Sequence, residues 1–196
     1  MIRLILFDLG GVVFTNGTKL FIADMAAKYN LPVANLQAVF DGDIGTQYRE
    51  GKIGRDQFWQ EVLINLPFKE SADELEKDWV NHYDLIPGMQ ELIAGLKRKL
   101  QVMYLSDNVR ERVENLNERF KFLSWFDGGI FSHEAGVRKP DLRIYKLALK
   151  TAGVTATQAV FIDDKVKNLT PAKALGMKVI LFESAGQLKQ DLDKLY

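Results

Sequence analysis

The chain has 196 residues, of which 47% are hydrophobic and 27% charged, and its 26 basic side chains balance 26 acidic ones. This composition is typical of a globular protein, and the balance gives no reason to expect a nucleic acid or an anionic membrane as partner. The chain lacks cysteine, which excludes disulfides, thiolate metal sites and a cysteine nucleophile. The N-terminal apolar run is too short for a membrane span and is a poor signal peptide, so we predict a cytoplasmic protein.

The first predicted element is a strand that begins at Ile2 and delivers one carboxylate, Asp8, ahead of the pair Gly10-Gly11. The run is almost continuously apolar, which is typical of a strand buried on both faces of a parallel sheet. Open α/β sheets bind ligands where such strands end. Asp8 is therefore a candidate functional residue, although a carboxylate at this place can also simply cap a turn.

The stretch from Thr18 to Leu85 is predicted to be helical throughout. Pro32 suits the first turn of a helix, and Ser71 with Glu74 three residues on forms a capping box. Aromatic and apolar side chains recur at helical spacing, which indicates the core of a helical bundle rather than a cofactor site. These side chains include Phe58, Trp59, Val62, Leu75, Trp79 and Tyr83.

From Pro87 onward, short apolar strands alternate with helices, and Pro140 is expected to open one of these helices. This alternation predicts βαβ units with right-handed crossovers. The fold class is therefore α/β, a Rossmann-like parallel sheet with helices on both faces. The later strands are predicted at 102–105, 129–131, 159–162 and 179–182.

The helical stretch is then an insertion into this sheet. We expect an α/β core domain made of residues 1–15 and 86–196, and an inserted helical cap domain of residues 16–85. Because the insertion follows Asp8 closely, the cap is expected to lie over the carboxyl ends of the strands as a lid.

Polar residues follow each strand. Ser106-Asp107-Asn108 follows the second strand, Arg138-Lys139-Pro140 lies after the third, and Asp163-Asp164 follows the fourth, with Asn168 just beyond. Because the ends of parallel strands meet at one edge, these groups are expected to converge with Asp8. Clustered carboxylates without histidine or cysteine suit a hard ion such as Mg²⁺, and a lysine with a serine suits a phosphate.

This set predicts chemistry on a phosphate ester. Asp8 attacks phosphorus to form an aspartyl-phosphate, which water then hydrolyses, while Lys139 and the metal stabilise the negative charge. Each residue also has a simpler interpretation: Ser106 and Asp163-Asp164 as helix caps, and Lys139 as a solvated charge. We favour the functional interpretation because the residues stand at successive strand ends.

The chain resembles the haloacid dehalogenase superfamily over nearly its whole length. Within it, the helical insertion resembles the cap of the helical-cap branch, and the chain is similar to phosphatases of α-glucose 1-phosphate and to the N-terminal phosphatase domain of soluble epoxide hydrolases. Four motifs match in order, namely Phe7-Asp8-Leu9-Gly10-Gly11-Val12, Leu105-Ser106-Asp107-Asn108, Arg138-Lys139-Pro140 and Phe161-Ile162-Asp163-Asp164 with Asn168.

The resemblance implies a Mg²⁺ cofactor. Asp8 is implied as nucleophile and metal ligand, the backbone carbonyl of Gly10 as a second ligand, and Asp164 as the main carboxylate of the last motif. Asp163 beside it is implied to reach the metal directly or through water. Gly10 departs from the pattern, because the usual residue there is an aspartate that serves as general acid and base. Its loss predicts slow turnover or a preference for good leaving groups, since such catalysis is worth roughly 10²–10⁴ in rate.

The resemblance also implies that Ser106 and Lys139 hold the phosphate and that Asn168 orients Lys139 or the acidic pair. Asp107 is a second departure, because asparagine is usual there. A carboxylate near a phosphate is repelled unless it points at the leaving group. We therefore take as a hypothesis that Asp107 accepts hydrogen bonds from substrate hydroxyls.

These observations predict a Mg²⁺-dependent phosphatase of a small phosphorylated metabolite, most simply a sugar phosphate. Two alternatives stay open: a pseudo-phosphatase that binds without turnover because of Gly10, and a haloacid dehalogenase, which uses the same nucleophile without Mg²⁺. The protein is expected to be a monomer or a homodimer.

The cap is expected to determine which substrate is bound. Loops are expected at 16–19 and 42–48, and Asp41, Asp43, Tyr48 and Arg49 are possible leaving-group contacts. For each of these four residues, and for His82 and His133, a surface position is the favoured interpretation.

Overall fold

The sheet contains five parallel strands in the order β3-β2-β1-β4-β5. The computed structural model describes residues 1–195. The predicted α/β fold is confirmed, and the four later strands lie within one residue of their predicted positions. The strands are Leu4–Phe7 (β1), Gln101–Ser106 (β2), Gly129–Phe131 (β3), Ala159–Asp163 (β4) and Lys178–Leu181 (β5).

The register of the sheet places three strand ends side by side. Phe7, the last residue of β1, pairs with Tyr104 on β2 and with Ile162 on β4. The amide of Asp8 then donates to the carbonyl of Ile162 at 2.9 Å. The polar residues that follow these three strands therefore share one edge of the sheet, as the topology requires.

β1 is buried on both faces because helices cover the sheet on each side. Each of its side chains is 0% exposed. Ile5 and Phe7 belong to a cluster that continues into the helical insertion, whereas Leu4 and Leu6 pack in a second cluster with Ile144. The two-sided burial accounts for the unbroken apolar run at the start of the sequence.

Five helices follow β1, and their aromatic side chains pack in one cluster. The ring of Phe40 lies 5.2 Å from that of Trp79 and 5.8 Å from that of Phe58, centroid to centroid. The capping box of Ser71 is present, so the predicted bundle core is confirmed. The helices are Gly17–Tyr29 (α1), Val33–Phe40 (α2), Asp43–Arg49 (α3), Arg55–Asn65 (α4) and Ala72–Asn81 (α5).

The helical prediction for this stretch holds even at two segments, 16–19 and 42–48, for which loops are the other expectation. Residues 17–19 begin α1, whose N-cap is Asn16, and residues 43–48 belong to α3. Arg49 holds α3 in place, because its Nη1 donates to the carbonyls of Phe40 and Gly45. A helix this short depends on tertiary contacts rather than on local propensity, which is why the sequence pattern also allowed a loop there.

Six further α-helices lie in the rest of the described chain. The prediction for Pro140 is wrong: the helix there begins at Leu142 with Asp141 as its N-cap, because the Asp141 carboxylate accepts the amide of Arg143. Among residues 1–195, no helix is long and apolar enough to cross a membrane. The helices are Met89–Lys97 (α6), Arg110–Phe120 (α7), Ser132–Ala135 (α8), Leu142–Ala152 (α9), Val166–Ala174 (α10) and Ala185–Asp193 (α11).

The division into a core and a cap domain stays a prediction. The hydrophobic cluster that contains Phe7 of the sheet also contains Trp59 and Trp79 of the insertion. The insertion therefore packs on the sheet through a continuous apolar interior.

Candidate active site

Three carboxylates meet at the edge of the sheet, and we call Asp8, Asp163 and Asp164 the acidic edge. One oxygen of each lies within 4.8 Å of the others. Asp8 and Asp163 are buried, and Asp164 is half-buried. The amide of Leu9 donates to Asp8 Oδ1 at 2.8 Å, and that of Lys165 donates to Asp163 Oδ1 at 2.8 Å. Local backbone donors thus hold two of the three carboxylates.

Lys139 pairs with two of these carboxylates. Its Nζ lies 2.9 Å from Asp8 Oδ1 and 2.8 Å from Asp163 Oδ2, and its side chain is 1% exposed. Burial lowers the pKa of Lys139, but the attraction of Asp163 and Asp8 outweighs burial and raises that pKa above its usual value. The interpretation of Lys139 as a solvated loop charge is therefore wrong.

The acidic edge carries more negative charge than its surroundings neutralise. Burial raises the pKa of the Asp8 carboxyl above its usual value. The positive charge of Lys139 opposes this rise, and the negative charge of Asp163 adds to it. Burial also raises the pKa of Asp164, with Lys165 acting in the opposite direction. An additional cation at the acidic edge would stabilise the ionised form of each carboxylate.

Asn168 fixes the position of Asp163. Its Nδ2 lies 3.0 Å from each carboxylate oxygen of Asp163, and its backbone carbonyl accepts a hydrogen bond from Tyr145 Oη at 2.7 Å. The sequence analysis expects Asn168 to orient either Lys139 or the acidic pair. Asn168 contacts Asp163 of the acidic pair directly, and it can affect Lys139 only through Asp163.

Ser106 and Asp107 lie where β2 ends. Ser106 is 1% exposed, and it does not cap the next helix, because the N-cap of α7 is Val109. Asp107 accepts hydrogen bonds from the amide of Lys139 at 2.9 Å and from Arg138 Nε at 3.2 Å. These bonds tie the Lys139 loop to β2, and the hypothesis that Asp107 contacts substrate hydroxyls stays a prediction.

The two glycines after Asp8 differ in what surrounds them. Gly11 has a φ of +92°, and a Cβ there would lie 2.5 Å from Asp164 Oδ2. A Cβ on Gly10 would lie 3.5 Å from Tyr83 Cε1, an ordinary contact distance. The close approach of Asp164 to the backbone thus requires glycine at position 11, whereas position 10 has room for a side chain.

A cavity of about 470 Å³ lies against Asp8 and Lys139. Helices of the insertion contribute much of its lining. It is also lined by Arg49, Arg112 and Arg138, which we call the basic wall. A substrate that places a phosphate beside Asp8 would therefore occupy a cavity that guanidinium groups also line.

Sequence reasoning named Arg138 and Arg49 of the basic wall but missed Arg112. Tyr48 and Arg49 are 3% and 5% exposed, so the surface interpretation is wrong for both, whereas Asp41 and Asp43 are exposed as expected. Arg112 was not singled out, although it stands four residues before the inward-facing Leu116 and hence on the same helix face.

The two histidines are half-buried rather than fully exposed. His82 Nδ1 lies 2.8 Å from the carbonyl of Asp78, and His133 Nδ1 lies 3.1 Å from that of Asn108. The predicted surface position is therefore correct only in part, because Nδ1 of each histidine lies against a backbone carbonyl.

The acidic edge fits a divalent metal ion. Its side-chain donors are all carboxylate oxygens, which a hard ion such as Mg²⁺ prefers. Asp164 Oδ1 is buried and has no hydrogen-bond partner. A buried, unsatisfied carboxylate oxygen beside two other carboxylates is the arrangement that a cation would stabilise.

The fold and the acidic edge together define a Rossmann-like enzyme whose site is built on a carboxylate. The family model of the haloacid dehalogenase-like hydrolases matches residues 2–176, and the chain belongs to this family of hydrolases. The superfamily resemblance of the four motifs is thereby confirmed.

Three similar proteins illustrate the relationship. The sesquiterpene phosphatase of Aspergillus oryzae is 29% identical over 88% of this chain and 85% of its own. The D-ribitol-5-phosphate phosphatase of Bacteroides thetaiotaomicron is 24% identical over 98% and 97%. A haloacid dehalogenase family enzyme of Bacteroides thetaiotaomicron, solved with magnesium and inorganic phosphate, superimposes with a TM-score of 0.79 at 22% identity, covering 94% of this chain and 96% of that one. The structural likeness shows a shared fold.

Proposed function

We propose that this hydrolase is a Mg²⁺-dependent phosphatase of a small phosphorylated metabolite, in the first instance a sugar phosphate, and that it works through an aspartyl-phosphate on Asp8. The observation that carries the proposal is the position of Lys139 between Asp8 and Asp163 beside a cavity. Two relatives that are named as phosphatases support it.

In the first step, a carboxylate oxygen of Asp8 forms a bond to phosphorus. The bond from phosphorus to the ester oxygen breaks, and the leaving alkoxide takes up a proton from solvent water, since Gly10 supplies none. In the second step, a water oxygen forms a bond to phosphorus and the bond from phosphorus to Asp8 breaks, which releases inorganic phosphate and restores the Asp8 carboxylate. Lys139 serves both steps, because its ammonium favours the ionised form of Asp8 and stabilises charge on the phosphoryl oxygens.

The metal site in this proposal is formed by Asp8, Asp164 and the carbonyl of Gly10. Asp163 contributes mainly through Lys139, since its oxygens already accept from Lys139, Asn168 and the Lys165 amide. When bound, Mg²⁺ supplies positive charge to the phosphoryl oxygens.

Ser106 and Asp107 have different parts in the proposal. Ser106, at the end of β2, donates its hydroxyl to a phosphoryl oxygen. Asp107 holds the backbone amide of Lys139 at 2.9 Å and so positions the lysine, in addition to any contact with substrate hydroxyls. A cytoplasmic location and a monomeric or homodimeric state complete the proposal.

The test is hydrolysis of an aryl phosphate with and without Mg²⁺, because an aryl leaving group needs little protonation and is not penalised by Gly10. We expect turnover that requires Mg²⁺ and that Asp8→Asn abolishes. Turnover of a 2-haloacid without metal would instead establish the dehalogenase. Binding of phosphate without any turnover would establish the pseudo-phosphatase.

A further inference from the structure

Arg112 is a buried cation without an anionic partner. It is 2% exposed, and its guanidinium carbon lies 4.1 Å from the ring centroid of Trp79 and 4.8 Å from that of Tyr83. Its Nη1 donates to Asn108 Oδ1 at 3.3 Å, whereas Nε and Nη2 have no hydrogen-bond partner. Within residues 1–195, no side-chain carboxylate forms an ion pair with Arg112.

The other arginines of the basic wall do not relieve this charge. Arg49 is buried, and its nearest carboxylate is that of the exposed Asp41, 3.5 Å from Nη2. Burial lowers the pKa of Arg49, and the positive charges of Arg138 and Arg112 act in the same direction, so that the pKa falls to about 10. Arg138 is paired with Asp107. The basic wall thus concentrates positive charge beside the cavity.

Burying a guanidinium without a carboxylate costs free energy. The faces of Trp79 and Tyr83 recover part of this cost through cation–π contact, but they leave two donor nitrogens unused. A planar guanidinium is suited to bind an oxyanion of carboxylate or phosphate type. At the acidic edge, by contrast, Lys139 already pairs with the carboxylates of Asp8 and Asp163.

We propose that the basic wall binds a second anionic group of the substrate, a carboxylate or a second phosphate, through Arg112 with the support of Arg49. This inference rests on the proposed phosphatase function and narrows the substrate to phosphorylated acids or bisphosphates. The phosphoryl group to be removed lies at Asp8, and the second oxyanion lies at Arg112.

The kinetic test uses three sugar phosphates that differ only at C6: glucose 1-phosphate, glucuronate 1-phosphate and glucose 1,6-bisphosphate. We expect kcat/KM for at least one of the two charged substrates to exceed that for glucose 1-phosphate by about tenfold or more. A preference for glucuronate identifies a carboxylate, and a preference for the bisphosphate identifies a second phosphate.

Arg112→Met is expected to lower kcat/KM for the preferred charged substrate about tenfold more than kcat/KM for glucose 1-phosphate, mainly by raising KM. Arg110→Met, an exposed arginine on the same helix, is the matched control and should keep the preference. Arg112→Gln removes the charge but keeps a polar side chain, and it serves as a second variant where Arg112→Met does not fold. Equal use of the three substrates by the wild type, or an unchanged preference in either Arg112 variant, would overturn the inference.

A binding measurement separates this inference from the phosphatase proposal. Calorimetry compares the affinities for 3-phosphonopropionate and for propylphosphonate, which lacks the carboxylate. Neither phosphonate can be hydrolysed. Tighter binding of 3-phosphonopropionate that Arg112→Met removes supports the second-anion site even where no phosphate ester is turned over. Equal binding of both phosphonates together with the absence of a preference among the sugar phosphates contradicts it, whatever the turnover.

Discussion

The acidic edge and the basic wall lie beside the same cavity, yet they treat charge in opposite ways. At the acidic edge, Lys139 sits between Asp8 and Asp163, and Asn168 completes the shell of Asp163. In the basic wall, Arg112 rests on aromatic rings and has unused donors. The difference indicates that the acidic edge is organised before substrate arrives, as transition-state stabilisation requires, whereas the basic wall depends on the substrate for its counter-charge.

The largest effect is expected at the acidic edge, from Lys139→Met. The substitution leaves two buried carboxylates facing each other, which should lower the free energy of unfolding by about 3–5 kcal/mol. It also removes the cation that stabilises the phosphoryl oxygens, so kcat/KM for an aryl phosphate should fall by about 10³-fold or more. Thermal unfolding and steady-state kinetics measure the two effects.

Lys146→Met, an exposed lysine on α9, is the control for Lys139→Met. The double variant Lys139→Met/Asp163→Asn should regain much of the lost stability but none of the activity, because it removes the repulsion without restoring the ammonium. Unimpaired turnover in Lys139→Met would show that this lysine plays no part in the chemistry.

A pair of glycine substitutions perturbs the two regions separately. In Gly11→Ala, the new Cβ would lie 2.5 Å from Asp164 Oδ2 and disturb the acidic edge. In Gly17→Ala, the new Cβ would lie 2.2 Å from the ring of Tyr83, on which Arg112 packs. Gly11→Ala should raise the Mg²⁺ concentration needed for half-maximal activity by about tenfold or more.

Gly17→Ala should leave that Mg²⁺ requirement within about twofold of the wild type, because its clash is with the support of the basic wall rather than with a metal ligand. Gly186→Ala, where a Cβ meets no atom within 4 Å, is the control for both. An equal rise in the Mg²⁺ requirement for Gly11→Ala and Gly17→Ala would mean that the two regions are not separable.

Gly10→Asp tests whether a missing general acid limits this site. Position 10 has room, since a Cβ there meets Tyr83 Cε1 at 3.5 Å. An alkyl leaving group needs a proton more than an aryl one does, so kcat for an alkyl phosphate should rise about tenfold while that for an aryl phosphate changes little. Gly10→Asn has nearly the same shape but carries no such proton. The same gain in both variants would rule out general acid catalysis as its cause.

The smallest effect is expected at an exposed ion pair of the insertion, which contrasts with the buried pairs of Lys139. Hydrogen bonds from Lys28 and Tyr29 lower the pKa of Glu70 to about 2. The stabilisation is therefore present above the unfolded pKa near 4.5 and is lost as the pH falls towards 2. Glu70→Gln should cost at most about 1 kcal/mol at pH 7, and denaturant unfolding at pH 7 and pH 3 should show this cost shrinking at the lower pH.

The acidic edge could be predicted from the sequence because it depends on topology. Asp8 and Asp163 stand at the ends of strands with a clear apolar pattern, Lys139 lies in the loop that follows the third strand, and parallel strands bring their ends together whatever the helices do. Arg49 and Arg112 of the basic wall could not be placed in this way. Arg49 is buried by carbonyls of its own short helix, and Arg112 by rings from a distant helix, so both positions follow from tertiary packing.

The most direct test of the central claim is to trap the intermediate on Asp8. Because Gly10 has no side chain to activate water, the aspartyl-phosphate should accumulate during turnover of an aryl phosphate with Mg²⁺. Borohydride would then reduce the acyl phosphate, and peptide mass spectrometry would locate the resulting homoserine. We predict conversion at Asp8 that requires both substrate and Mg²⁺. Continued turnover with an unmodified Asp8, or conversion at another carboxylate, would contradict the account.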